Sequence, residues 1–124
     1  MKTTHAARAL SALLLLAAGP LSQAQPLAVR EDGETAVRLS GTVIGPISSG
    51  SKADGTLFKA YHLKLAQPLT LDDGADCGEQ DKRSLALNQE DMGRYKGRAI
   101  TVKAKVFCQT SRTGTYHLSD IAVQ

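Results

Sequence analysis

The chain has 124 residues, 42% of them hydrophobic, but it contains no tryptophan, two phenylalanines and three tyrosines. Its formal net charge is +3, from 15 Lys and Arg against 12 Asp and Glu. A chain of this length forms one domain, whose core must come from Val, Leu, Ile and Ala. The weak net charge disfavours a general nucleic-acid binder, because such binding grows with the number of phosphates neutralised.

Residues 1–24 have the layout of a cleavable secretory signal peptide. Lys2 and Arg8 precede an apolar run over residues 9–18, and small residues follow up to Ala24. The run is too short to span a bilayer. We therefore predict a periplasmic or secreted product without a membrane span. Loss of the two leader cations leaves 13 basic residues against 12 acidic ones.

The next part of the chain is predicted to be a flexible N-terminal segment over residues 25–34, followed by the folded domain over residues 35–124. Residues 35–44 alternate apolar and polar side chains, the period-two pattern of a half-buried strand. A turn-rich connection leads to a second predicted strand over residues 56–69. Pro68 limits how far that strand runs in the middle of a sheet.

Residues 72–81 form an acidic, glycine-rich loop that contains Cys77. Its carboxylates raise the possibility of a calcium site. However, Gly74 stands where a loop of the EF-hand type needs a carboxylate, so that motif fails. Whether the loop holds a cation in an irregular site stays open.

A short third strand is predicted over residues 84–88, followed by one or two helical turns. Asn88 is the candidate cap of that helix. Glu90 and Asp91 lie in its first turn, where the helix dipole favours negative charge. Gly93 or Gly97 would end it.

The fourth predicted strand, over residues 99–108, has the clearest alternation in the chain. Val102, Ala104, Val106 and Cys108 share the inward face with Ile100, and the residues between them face outward. A fifth strand is predicted over residues 116–124. Its phase stays open, since Leu118 and Ile121 fall on opposite faces unless a bulge intervenes.

This order of elements predicts a mostly β fold. Five strands with one short helix between the third and fourth follow the order of the OB-fold, a small Greek-key barrel. Barrel closure would also hide the sheet edges that an open five-stranded sheet exposes.

Cys77 and Cys108 are the two cysteines of the chain, and an exported protein enters an oxidising compartment. We predict a disulfide between them, which clamps the acidic loop against the end of the fourth strand. In the chain-entropy model such a bridge contributes about 3 to 4 kcal/mol. A catalytic thiol would need a nearby base, and the spacing of the cysteines and histidines matches no zinc motif.

Three segments of the chain resemble a known family. They are YHLKLAQPL (residues 61–69), GRAITVKAKVF (residues 97–107) and TGTYHLSDIAV (residues 113–123). Together they look like a family of small secreted bacterial proteins of unknown function with an OB-like barrel. That family tends to carry further histidines beside the Thr-Gly-x-x-His turn, where this chain has Thr115 and Tyr116. The resemblance implies a fold and a compartment, but no activity.

One surface is predicted to bind a ligand, around the fourth and fifth strands and the turn between them. OB-folds place cations beside aromatic rings to hold polymers, although a solvated face is the plainer interpretation. His117 would act there as a ligand or a proton switch, or would only cap the turn. The candidate residues are Lys103, Lys105, Phe107, Arg112, Tyr116 and His117.

No motif for catalysis, phosphate binding or metal binding is present. We therefore predict no enzyme activity, no cofactor and no catalytic or metal-ligating residue. The expected function is that of a monomeric, non-catalytic binding module. Its partner would be an envelope or secreted protein, as for an inhibitor or immunity-type protein, or a polymeric ligand, with nucleic acid disfavoured. The alternatives are an OB-groove binder of an oligonucleotide or glycan, and a small hydrolase that uses His117.

Overall fold

The computed structural model describes residues 25–111 and 113–124, and the predicted signal peptide over residues 1–24 lies outside them. Strands make up 62% of the described chain and helix 4%, so the prediction of a mostly β fold is confirmed. Its elements in chain order are β1 (Leu27–Ala28), β2 (Thr35–Ser49), β3 (Phe58–Asp72), β4 (Gln80–Leu87), a 3-10 helix (Met92–Tyr95), β5 (Ala99–Gln109) and β6 (Thr115–Val123).

The six strands form one sheet in the order β1-β3-β2-β5-β6-β4, and β3 also pairs with β4. Most neighbours are antiparallel, whereas β1 with β3 and β4 with β6 are parallel. The sixth strand is β1, which lies in the segment expected to be flexible. Next to it, Val29 is buried, and its N–H donates to the carbonyl of Asp72 at 3.0 Å. A two-residue strand is too short for alternation to reveal it.

β2 is the strand that joins the two halves of the sheet. It pairs with β5 over residues 35–42 and with β3 over residues 41–49. Gly41 stands opposite both Leu65 and Ile100. A Cβ at Gly41 would lie 2.2 Å from the backbone oxygen of Lys64, so only glycine allows the strands to approach this closely.

β2, β3 and β4 all extend beyond their predicted ends. β2 continues to Ser49, past a register irregularity between Ile44 and Ile47. β3 continues past Pro68 to Asp72, with its pairing to β4 interrupted between Lys64 and Leu69. β4 begins at Gln80 instead of Ser84. The irregularities accommodate the prolines but interrupt the alternation from which the predicted ends were drawn.

The core follows the predicted alternation of β5. Val102, Ala104 and Val106 are buried, and Ile100 and Cys108 pack against them while remaining partly exposed. The other main contributors come from four strands and the 3-10 helix: Val43, Leu63, Leu65, Leu71, Leu85, Leu87, Met92, Tyr116, Leu118 and Ile121. Aliphatic side chains thus make up most of the core, as the composition predicts.

A bulge in β6 allows Leu118 and Ile121 to face the core together. Leu118 and Ile121 are both buried, although they lie three residues apart. The register between β5 and β6 shifts between Lys103, which faces Ala122, and Lys105, which faces Ser119. One extra residue therefore lies on β6 here, next to Asp120 with its positive φ of 49°.

The predicted helix over residues 88–97 is reduced to the 3-10 helix at Met92–Tyr95. Asn88 does not cap it. The preceding Asp91 adopts a left-handed conformation with a φ of 65° and makes no side-chain capping bond, which prevents helical continuation from Asn88. Gly97, with a φ of 82°, follows shortly after its end. In the described part of the chain, no helix has the length and apolar character needed to cross a membrane.

Candidate functional site

The structure does not place the predicted binding residues on one open surface. Lys103 is exposed on β5, but Lys105 is held by Glu34 at 2.7 Å and Asp120 at 3.3 Å. Tyr116 is fully buried in the core and His117 is buried beside it. Arg112 lies outside the described residues.

His117 lies in a row of residues that crosses four strands. The register pairs His62 of β3 with Ala86 of β4, Ala86 with His117 of β6, and His117 with Phe107 of β5. Because directly opposed residues point to the same side of a sheet, these four side chains share one face. The rings of Phe58 and Phe107 lie 5.0 and 5.8 Å from the His117 ring. The predicted surface residue is thus the centre of an aromatic cluster.

Each histidine of this row has one nitrogen bonded to a hydroxyl and one nitrogen left over. His117 Nε2 lies 2.7 Å from Thr113 Oγ1, and His62 Nδ1 lies 3.3 Å from Ser84 Oγ. The buried His117 Nδ1 and His62 Nε2 have no hydrogen-bond partner among the described residues. The Thr113 contact agrees with the plainer prediction that His117 caps its turn.

The cluster keeps both rings neutral. Burial, with further contributions from His62 and Lys82, lowers the pKa of His117 to about 4. Burial and the charge of Lys82 also lower the pKa of His62. A general base for chemistry near neutral pH needs a pKa close to the working pH, and His117 lies well below it.

The acidic loop is organised around Asp73 and Tyr116. The carboxylate of Asp73 accepts hydrogen bonds from the amides of Ala75 at 2.8 Å and Gly78 at 2.9 Å, and a longer one from Cys77. Burial opposes ionisation of Asp73, but these amide hydrogen bonds hold its pKa below the usual range. The amide of Asp73 donates to Tyr116 Oη, which donates in turn to the carbonyl of Gly78.

Cys77 and Cys108 form the predicted disulfide, with their Cα atoms 5.9 Å apart. Asp73 lies close to both sulfur atoms, and these three residues are the nearest approach to a metal cluster in the described chain. Both sulfurs are used in the bridge, and the carboxylate is occupied by amides. The loop is therefore built as a structural clamp on the end of β5.

A groove of about 930 Å³, which strand periodicity does not predict, lies between the start of β3 and the segment after β4. We call it the apolar groove. Its apolar wall consists of Pro46, Phe58, Ala60, Tyr61, Leu87 and Met92, and its polar rim consists of Lys59, Asn88, Gln89, Glu90, Asp91 and Arg94. The acidic residues interpreted as a helix start lie instead on this rim.

Two contacts fix the shape of the apolar groove. The side chain of Gln89 donates to the carbonyl of Ile121 at 2.9 Å and accepts from the amide of Ile121 at 2.7 Å, which ties the rim to the bulge of β6. The 3-10 helix lies directly on the Tyr61 ring. A Cβ at Gly93 would be 2.8 Å from that ring, so a larger residue here would require the Tyr61 side chain to shift. Gly93 within MGRY was the one signal of this contact in the sequence.

Comparisons of the chain with protein-family models, with curated proteins and with solved structures gave no match.

Proposed function

We propose that the chain is an exported, non-catalytic binding module that holds an extended, apolar segment of a partner protein in the apolar groove. The observation that carries this proposal is the groove itself. Its volume lies within the roughly 300 to 1,000 Å³ of ordinary ligand sites, which are lined mainly by apolar and aromatic side chains with a few polar groups.

The surroundings of the groove favour a peptide segment as its occupant. Leu57, beside the wall residue Phe58, is the large apolar side chain most exposed in the described chain, at 43%. The rim supplies both acidic and basic side chains, which suits a peptide backbone better than a uniformly charged polymer. An inhibitor or immunity-type protein is the narrower form of this proposal.

The proposed fold is an OB-type barrel. The strands β3, β2, β5, β6 and β4 follow one another by pairing, and the pairing of β4 with β3 supports closure of that series. The 3-10 helix lies between β4 and β5, where an OB-fold carries its helix. We retain the family of small secreted bacterial OB-like proteins as part of this proposal. The disulfide supports export, because such bonds persist in oxidising compartments.

A peptide selection tests the function. Peptides are selected from a displayed random library against the protein with its disulfide intact, and their affinities are measured by calorimetry. We expect extended, apolar-rich peptides whose binding weakens by about tenfold or more in Ala60→Glu, since this places a charge in the groove wall. The matched control Ala75→Glu, on the exposed acidic loop, should leave binding unchanged.

Folding of both variants is checked by thermal unfolding. Failure to select any peptide, or equal weakening by the two substitutions, would refute the proposal.

A further inference from the structure

A second groove, distinct from the apolar one, lies along the outer side of β2. It has a volume of about 840 Å³, and three cationic side chains line it with no acidic side chain among its lining residues. We call it the basic trough. Its polar lining includes Arg38, Lys64 and Arg98, the hydroxyls of Ser40, Thr42 and Thr101, and Gln124.

Strand register brings these residues together from distant parts of the sequence. Lys64 of β3 lies opposite Thr42 of β2, and Arg38 of β2 lies opposite Lys103 of β5. Arg98 stands just before β5, and its carbonyl accepts from the amide of Val43 at 3.1 Å. The trough is thus built on paired backbone, which fixes the spacing of its cations.

Among the residues that the structure describes, Arg38, Lys64 and Arg98 take part in no ion pair. In residues 25–111 and 113–124 the ion pairs involve only Arg30 and Lys105 among the cations. Arg38 and Lys103 are exposed and directly opposed across two strands, an arrangement that destabilises a sheet. A bound anion would remove that repulsion.

The lining favours a sugar polymer over a nucleic acid. Proteins that hold single-stranded nucleic acid stack its bases on free aromatic rings. The one aromatic ring of the trough, Tyr95, already carries the guanidinium groups of Arg94 and Arg98, 5.5 and 5.6 Å from its centre. Ser40 and Thr101, whose hydroxyl oxygens lie 2.7 Å apart, instead offer groups that match sugar hydroxyls.

We propose that the basic trough binds an anionic glycan, a saccharide chain that bears sulfate, phosphate or carboxylate groups. Arg38, Lys64 and Arg98 pair with the anionic groups, because guanidinium and ammonium groups form charge-assisted hydrogen bonds with such oxygens. The hydroxyls of Ser40 and Thr101 contact the sugar. This site goes beyond the proposed function, since it lies on a different surface and takes a different ligand.

The test compares dextran sulfate, unsulfated dextran, inorganic polyphosphate and an oligothymidylate, each titrated into the disulfide-intact protein. We expect dextran sulfate to bind most tightly, with an affinity that falls as salt is raised. The triple variant Arg38→Gln, Lys64→Gln, Arg98→Gln should weaken this binding by about tenfold or more. The charge-matched control Lys52→Gln, Arg83→Gln, Arg30→Gln should change it by less than about threefold.

A double variant tests the proposed contact with the sugar separately. Ser40→Ala with Thr101→Val should weaken dextran sulfate binding but leave polyphosphate binding unchanged. Equal weakening of binding in the two triple variants would show that binding depends on net charge and not on the trough, and would overturn the proposal. Tighter binding of the oligothymidylate, or of polyphosphate, would overturn the glycan assignment. Peptide binding in the apolar groove is expected to survive all of these substitutions, so the two proposals fail independently.

Discussion

A buried imidazole is stable in the folded chain only while it is neutral, and His117 meets that condition at neutral pH. Its pKa is about 4 in the folded protein and about 6.5 when the chain is unfolded. The unfolded chain therefore binds more protons between these values. The contribution of the neutral His117 to stability is fully present above pH 6.5 and is lost as the pH falls toward 4.

We predict that the histidine cluster makes the protein acid-sensitive. Lowering the pH from about 7 to 4 should reduce the free energy of unfolding by about 2 to 3 kcal/mol through His117. His62 and Lys82, the charged or titratable neighbours that oppose its protonation, contribute in the same direction. Urea unfolding at both pH values checks this.

The matched variant is His117→Phe, which keeps a ring between Phe58 and Phe107. It should lose less stability on acidification than the parent protein, because carboxylates such as Asp73 titrate in both. An equal loss in parent and variant would contradict the assignment to His117.

The hydroxyl of Tyr116 is a second residue-scale determinant. It satisfies the amide of Asp73 and the carbonyl of Gly78 from within the core, and burial raises its pKa to about 12. Tyr116→Phe leaves both backbone groups without this partner and should destabilise the protein by about 1 to 3 kcal/mol. Tyr95→Phe, at a half-buried ring, is the control and should cost less than about 0.5 kcal/mol. Denaturant unfolding compares the two, and equal effects would contradict the prediction.

At the scale of elements, the disulfide attaches the acidic loop to β5. It joins the loop after β3 to the end of β5 across 31 residues. Replacing Cys77 and Cys108 together by Ser should reduce the free energy of unfolding by about 3 to 4 kcal/mol. Reduction of the parent protein should reproduce this loss and leave the double variant unaffected. Unchanged stability after reduction would show that the loop is held by Asp73 and Tyr116 alone.

Elements could be predicted from the sequence where alternation is uninterrupted. β5 follows its period of two from Ile100 to Cys108, and its bounds, Ala99–Gln109, differ from the predicted ones by one residue. Alternation fails at Pro46 and Pro68, where the strand continues through an irregularity in its pairing register. It also fails at the short helix, where the left-handed Asp91 overrides the capping pattern of Asn88.

The surfaces could not be predicted in this way, because they depend on which strands are neighbours. His117 is buried against Phe58 of β3 and Phe107 of β5, and the pattern of β6 alone left its phase open. Arg38, Lys64 and Arg98 are 26 and 34 residues apart along the chain and meet only through the pairings of β2. The periodicity of a single strand predicts neither the burial of His117 nor the meeting of these three cations.

At the scale of the whole molecule, small net charge conceals an uneven charge distribution. Five of the twelve acidic residues lie in the loop over residues 72–81, whereas the trough around Arg38 is basic. The two proposed binding surfaces differ in chemistry, since one is apolar and the other cationic. Both proposals concern the disulfide-intact protein, so the chain must reach a compartment in which its disulfide forms.

That requirement gives the last prediction, which concerns export of the entire chain. Expressed in bacteria, the protein should be recovered beyond the inner membrane, with its N-terminus at Gln25 and its mass lowered by the two hydrogen atoms lost in the disulfide. Leu14→Arg with Leu15→Arg breaks the apolar run and should leave an uncleaved chain with reduced cysteines inside the cell. Leu14→Ile with Leu15→Ile preserves the run and should be exported normally.

Cell fractionation and intact-mass measurement read out all three proteins. The retained variant should also unfold at lower denaturant concentration, since it lacks the bridge worth about 3 to 4 kcal/mol. Recovery of the parent chain uncleaved, or of both variants in the same compartment, would contradict export through residues 1–24. The stability of the fold and its location are linked by the same two sulfur atoms, so this measurement tests both at once.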